Sequence, residues 1–167
     1  TMANRGKHIQ PRLVHRIEDI TTGRNELVPT KVLNNIPMVE PEHWNQVIEA
    51  MKNVVHGPRG TARKLNKDIP YTIAGKTGTA QVIGIKQGER YDKDKIKKKY
   101  QDHALFVAFA PVEDPRIAVA VVVENGGSGS SAAAPIAGEL IKAWLMPKIQ
   151  SGELSLPEIE EPIPTDE

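Results

Sequence analysis

Apolar and polar positions change rhythm several times along the chain, and each change marks an element. From Pro11 to Val28 they alternate loosely, with Leu13, Val14 and Ile17 before Thr21-Thr22-Gly23 and Leu27-Val28 after it. This predicts two short strands around a turn. From Pro41 the period becomes 3.6: Trp44, Val47, Ile48, Met51 and Val55 share one face, Pro41 stands near the start and Gly57 past the end. That spacing predicts an amphipathic helix. Gly57 to Pro70 is basic and rich in turn formers, with Thr61 to Leu65 as a candidate short helix. Tyr71 to Ile85 is rich in Thr, Ile, Val and Gly, and its β-branching favours a strand.

A charged loop, Lys86 to Asp102, follows, carrying Lys93, Lys95 and Lys97-Lys98-Lys99. Leu105 to Ala110 and Ile117 to Val123 are two nearly continuous apolar runs on either side of Pro111 to Arg116. They predict an antiparallel hairpin in the middle of a covered sheet. Asn125-Gly126-Gly127 ends it. Ser128 to Ser131 then offers caps for a last helix with Ala137, Leu140, Ile141 and Trp144 on the face that packs on the sheet. Beyond Pro147 the sequence turns acidic and proline-rich, with Glu153, Glu158, Glu160, Glu161, Pro162, Pro164, Asp166 and Glu167. A folded part over 1–149 and a disordered tail over 150–167 are expected. The fold class is α+β, an antiparallel sheet packed against helices.

Composition narrows the chemistry. With 167 residues and 39% hydrophobic content the chain is long enough for one domain with a core. A net charge of +1 exerts no general pull toward nucleic acid. The chain has no cysteine, which removes disulfides, thiolate metal sites and cysteine nucleophiles while leaving the compartment open. The five histidines, His8, His15, His43, His56 and His103, have no ligand spacing, so neither a metal nor a cofactor is expected. No stretch reaches the roughly 18 to 20 apolar residues of a membrane span, and the first residues lack the apolar core of a signal peptide. A first residue other than Met, in what reads as the end of a helix closed by Gly6, suggests a fragment of a longer protein.

One motif carries chemistry. Within the Tyr71 strand lies Ala74-Gly75-Lys76-Thr77-Gly78-Thr79-Ala80-Gln81-Val82, and Lys-Thr-Gly is a signature of serine penicillin-recognising enzymes. The triplet alone occurs by chance in on the order of one chain in ten of this length, and its plain reading is an edge strand with a solvated lysine. Its context is more specific: a second Thr follows, then a loop, an apolar hairpin and a C-terminal helix. Period two places Thr77 and Thr79 on one face of the strand and Lys76 and Gly78 on the other, so both hydroxyls can meet one ligand.

Through that long motif, Asp102-His103, Ala108-Phe109-Ala110-Pro111 and Glu124-Asn125-Gly126-Gly127, the chain up to about Ile149 resembles the last part of the transpeptidase domain of class B penicillin-binding proteins. Within the class it is nearest those of the rod-shape elongation machinery. The resemblance implies a peptidoglycan D,D-transpeptidase that cross-links stem peptides through a serine acyl-enzyme and is acylated by β-lactams. It implies that Thr77 and Thr79 bind the terminal carboxylate of a peptide ending in D-Ala-D-Ala, and that Gly78 lets its backbone lie along the strand. By the same resemblance Lys76 is catalytic, assisting proton transfer, and the backbone N–H of Thr79 belongs to the oxyanion hole. The implied location is the periplasmic face of the inner membrane, behind an N-terminal anchor not in this sequence, and the implied partners are β-lactams and membrane proteins of cell elongation.

The sequence departs from that family at the nucleophile. Ser-x-x-Lys and Ser-x-Asn are both missing; the serines, Ser128, Ser130, Ser131, Ser151 and Ser155, all follow the strand and none has Lys three residues on. A serine acyl-enzyme needs its serine, so the isolated chain is expected to be inert. A fragment of a serine β-lactamase and a non-catalytic β-lactam sensor or interaction module remain alternatives. His103 reads as a capping or hydrogen-bonding residue. The Lys93 to Lys99 run reads as a solvated loop, or else a lip over the cleft.

Overall fold

The computed structural model describes residues 1–37, 40, 42–84 and 96–157. They fall into two compact units, divided in sequence between Val47 and Ile48.

In the first unit β1 (Arg16–Glu18) and β2 (Asn25–Leu27) pair antiparallel, with Ile17 opposite Glu26. Every residue of both strands is exposed, so no core selects this register. Turn chemistry does. The Asp19 carboxylate accepts the backbone N–H groups of Thr21 at 2.8 Å and Thr22 at 3.2 Å, and Gly23 takes a φ of 69°. The Thr22 hydroxyl, then those two amides, hold the Asp19 carboxyl below its ordinary value by bonding its ionised form. Ile9 and Val32 form an isolated bridge beyond the hairpin. Gly6 is required nearby: its φ is 92°, and a Cβ there would stand 2.7 Å from the Trp44 ring.

Helix α1 (Glu42–His56) follows the predicted period. Ile48 and Val55 are buried as expected, whereas Val47, at the margin of the predicted face, is exposed. Pro41, expected near its start, lies outside the described residues. After it, the candidate short helix is a 3₁₀ turn at Arg63–Asn66.

The second unit is built on a three-stranded antiparallel sheet in the order β3 (Ala74–Ala80), β4 (His103–Ala110), β5 (Ile117–Val123). The predicted hairpin is β4 and β5, but only β4 is central; among the described residues β5 is an edge. Nor, among the described residues, is the sheet fully covered on both faces. Ala104, Phe106, Ala108 and Ala110 are buried, and opposite them stand Val123, Val121, Val119 and Ile117 of β5. In the alternate row Val107, Ala118, Ala120 and Val122 are exposed, while Leu105 is half-buried and Phe109 is buried. An unbroken apolar run is compatible with either arrangement, which is why pattern alone did not distinguish them. Strand β3 is shorter than Tyr71 to Ile85: Tyr71, Thr72 and Ile73 are buried ahead of it, and Ile85 lies outside the described residues.

Helix α2 (Ala134–Gln150) covers the inner face and buries Ala134, Ala137, Ile141 and Leu145. The predicted face needs correction: Leu140 and Trp144 are exposed. Small residues on the helix (Ala134, Ala137) meet the alanines of β4, so helix and sheet approach closely on that stripe, and the bulkier Leu140 and Trp144 are turned outward. Lys148 sits over the Trp144 ring at 5.0 Å. The helix start differs as well. Gly129–Ala133 forms a π-helical turn before α2, no serine side chain caps it, and Pro135 occupies the first turn. Pro147 lies inside the last turn without ending the helix, and Leu154 and Leu156 return to the core. The tail from residue 158 and most of the lysine-rich loop, Lys93 and Lys95 included, lie outside the described residues.

Candidate active site

Strand β3 carries the motif, and both its ends are pinned. At its entry the Ile73 N–H donates to Nε2 of His56 at 2.9 Å. The Thr72 hydroxyl accepts the Val112 N–H at 3.0 Å and donates to the Glu113 carboxylate, which lies 3.7 Å from the Lys52 ammonium. Only an unprotonated Nε2 can accept the Ile73 N–H. Burial, outweighing an opposing hydrogen bond to Asn66, holds the His56 pKa below its ordinary value and keeps that nitrogen free.

At the exit Asp102, nearly buried, accepts the Val82 N–H at 3.3 Å through Oδ1 and the Gly127 N–H at 2.8 Å through its carbonyl. His103 Nδ1 accepts the N–H of Asn125 at 2.9 Å, and the Asn125 side chain donates to the carbonyls of Gln101 at 2.9 Å and Lys99 at 3.2 Å. Asn125 adopts a φ of 53°, a conformation that asparagine tolerates better than most residues. The sequence pairs Asp102-His103 and Asn125-Gly126-Gly127 therefore meet as one anchor where β3 leaves the sheet. His103 has the hydrogen-bonding role expected of it.

Register fixes the faces of β3. Thr77 stands opposite Phe106 and Thr79 opposite Ala104, both on the inner face of β4. Lys76 and Gly78 stand opposite Val107 and Leu105 on the outer face. The two hydroxyl-bearing positions thus share a face, as period two predicted. Lys76 is exposed and its ammonium donates to the Thr77 carbonyl at 2.7 Å. Among the described residues β3 pairs with β4 alone, so its other edge carries backbone groups without a strand partner.

Two glycines let other groups come close. A Cβ on Gly75 would lie 2.6 Å from the buried Phe106 ring. A Cβ on Gly129, in the turn before α2, would lie 2.7 Å from the Gly78 carbonyl oxygen and 2.3 Å from that of Leu105. The π-helical turn is therefore seated directly on the backbone of the motif.

One neighbour was missed in the sequence. The Thr61 hydroxyl lies 3.4 Å from the Thr77 hydroxyl, and Thr61 lines an adjoining cleft of about 230 Å³ with Arg63, Lys64, Ser130 and Ser131. Its sequence signal, a Thr between Gly60 and Ala62 in a basic, turn-rich stretch, says nothing of a strand sixteen residues later. Among the described residues no group of His, Asp and Glu side chains is arranged to hold a metal ion.

An antiparallel sheet backed by a C-terminal helix, with Lys-Thr-Gly on a strand whose second edge has no strand partner among the described residues, fits the class of serine penicillin-recognising proteins. The chain matches the penicillin binding protein transpeptidase domain over residues 1–142, and it belongs to that family. It is 38% identical over 152 residues to the peptidoglycan D,D-transpeptidase MrdA of Haemophilus influenzae, a match covering 91% of this chain and 23% of that protein. Among solved structures it is similar to Pseudomonas aeruginosa PBP2 in complex with WCK 5153, with a TM-score of 0.67 and 43% identity over 87% of this chain and 27% of that one. It is also similar to the imipenem acyl-enzyme complex of penicillin-binding protein A from M. tuberculosis, with a TM-score of 0.60 and 30% identity over 86% of this chain and 28% of that one. The resemblance to the elongation-type, PBP2 branch is thereby borne out. The chain spans about a quarter of the length of the relatives it matches.

Proposed function

We propose that this chain supplies the Lys-Thr-Gly wall of the active site of a peptidoglycan D,D-transpeptidase. The observation that carries the reading is the placement of Thr77 and Thr79 on one face of a strand whose second edge has no strand partner among the described residues. A peptide ending in D-Ala-D-Ala lies along that edge as an added strand, with Gly78 leaving room for its backbone. Its terminal carboxylate accepts hydrogen bonds from the Thr77 and Thr79 hydroxyls, each contributing about 1.5 to 3 kcal/mol for a bond to a charged group. A β-lactam carboxylate takes the same place.

The reaction proceeds in two transfers. A serine oxygen bonds to the carbonyl carbon of the penultimate D-Ala, the amide C–N bond breaks, and the terminal D-Ala leaves with a proton. An amine of a second stem peptide then bonds to that carbon, the ester C–O bond breaks, and the serine recovers a proton. Lys76 assists proton transfer and draws the carboxylate in, and the Thr79 N–H stabilises the oxyanion beside the N–H of the serine. The serine has no candidate in this chain, so the chain alone is inert. The reading places the complete protein at the periplasmic face of the inner membrane, with membrane proteins of cell elongation as partners. No described helix is long and apolar enough to cross a membrane.

Intact mass after incubation with a β-lactam tests this. A polypeptide that joins this chain to Ser-x-x-Lys and Ser-x-Asn motifs gains one drug mass, and this chain alone gains none. Acylation of the chain alone would overturn the assignment.

A further inference from the structure

We propose that Thr61 is a positioning residue of this site, which aims the Thr77 hydroxyl at the substrate carboxylate. The inference rests on the transpeptidase reading above and extends it to a residue outside the motif.

Hydrogen accounting leads there. The Thr61 and Thr77 oxygens are 3.4 Å apart, so one hydroxyl donates to the other. Each hydroxyl has a single proton and two lone pairs. If Thr77 donates to Thr61, its proton is spent and it can offer a carboxylate nothing but a lone pair, which repels it. If Thr61 donates to Thr77, the Thr77 proton is free to point at the carboxylate, and its donor strength rises because its oxygen is already accepting. A carboxylate on Thr77 therefore selects the second arrangement. At 3.4 Å the contact is longer than the usual 2.5 to 3.0 Å of an O–H···O bond, so it directs the Thr77 proton without locking it.

The surroundings favour an anion on this side of the strand. Thr61 is exposed, and the cleft it lines also carries Arg63, Lys64, Ser130 and Ser131, with no acidic side chain among its lining residues. Arg63 is turned back onto the Pro58 carbonyl at 3.2 Å, which leaves Lys64 as the more adjustable cation. Gly129, seated on Gly78, holds the two serines beside β3. Main-chain bonds fix Thr61 in place: the N–H of the next residue, Ala62, donates to the Val54 carbonyl of α1 at 2.9 Å, and Ala62 is buried.

The test uses the complete transpeptidase that contains this segment, and reads the second-order rate constant of acylation by benzylpenicillin and by its methyl ester. Thr61→Val is expected to slow benzylpenicillin about tenfold, the scale of one weakened hydrogen bond to a charged group, and to leave the ester unchanged. Thr61→Ser is expected to behave as the parent. An equal loss with acid and ester, or no loss with either, overturns the proposal. Thr77→Val separates the two readings. If Thr77→Val discriminates acid from ester and Thr61→Val does not, the Thr61 role alone fails. If Thr77→Val does not discriminate, the carboxylate assignment and the Thr61 role fall together.

Discussion

His56 shows how a residue outside the motif sets conditions for it. Its Nε2 accepts the Ile73 N–H at the point where the chain enters β3, and burial depresses its pKa. A histidine whose folded pKa lies below its unfolded value of about 6.5 destabilises the fold only where the unfolded chain binds the extra proton. Stability is therefore full above pH 6.5 and is lost as pH falls through the depressed folded value. Urea midpoints measured from pH 8 down to pH 5 should decline below 6.5 in the parent. In His56→Gln, which keeps an acceptor near the same place and cannot titrate, the curve should be flatter over that window. Neither Thr61 nor His56 was legible as part of the site. Both act through bonds to residues sixteen and seventeen positions away, and local pattern carries no trace of such a bond.

Elements were easier to read than their faces. The helical period of α1, the turn at Asp19 and the two apolar runs of β4 and β5 each follow from local chemistry, and all formed where expected. The strand of the motif was legible too, because β-branched residues alternate with glycines that the sheet needs. What failed was the face of α2. Ala134, Ala137, Ile141 and Leu145 repeat at helical spacing as well as Ala137, Leu140, Ile141 and Trp144 do, and hydrophobicity favours the second set. Fit decides for the first, since the alanines of β4 admit a helix only at close range. Ile141→Ala is expected to destabilise by about 2 to 5 kcal/mol through the cavity it leaves, and Leu140→Ala by under about 0.5 kcal/mol. Chemical denaturation of the two variants beside the parent checks the assignment; equal losses would restore the predicted face.

At the scale of the molecule, the two units differ in what holds them. The first has β1 and β2 with every residue exposed and is organised by turns, bridges and backbone hydrogen bonds. The second has the continuous core of Phe106, Ile73, Ile141 and Leu145. Regions with few buried apolar contacts open at lower free energy. Amide hydrogen exchange should therefore be fast at Glu18, Asn25 and Leu27 and slow at Phe106, Val121 and Ile141, with the difference persisting at low denaturant. Uniform protection would mean that the two units unfold as one.

The buried Phe106 ring at Gly75 and the Gly129 turn at Gly78 leave the backbone of β3 no room for added side chains at these contacts. A methyl group at Gly75 collides with a buried ring, and one at Gly129 with main-chain oxygens that cannot retreat. On the transpeptidase reading proposed above, this strand is a poor place for antibiotic resistance to begin: a side chain added at Gly75 or Gly129 disturbs the packing of the sheet. Resistance arising within this segment should accumulate instead in residues that border the strand without supporting it, where a side chain can change shape and the wall behind it stays standing.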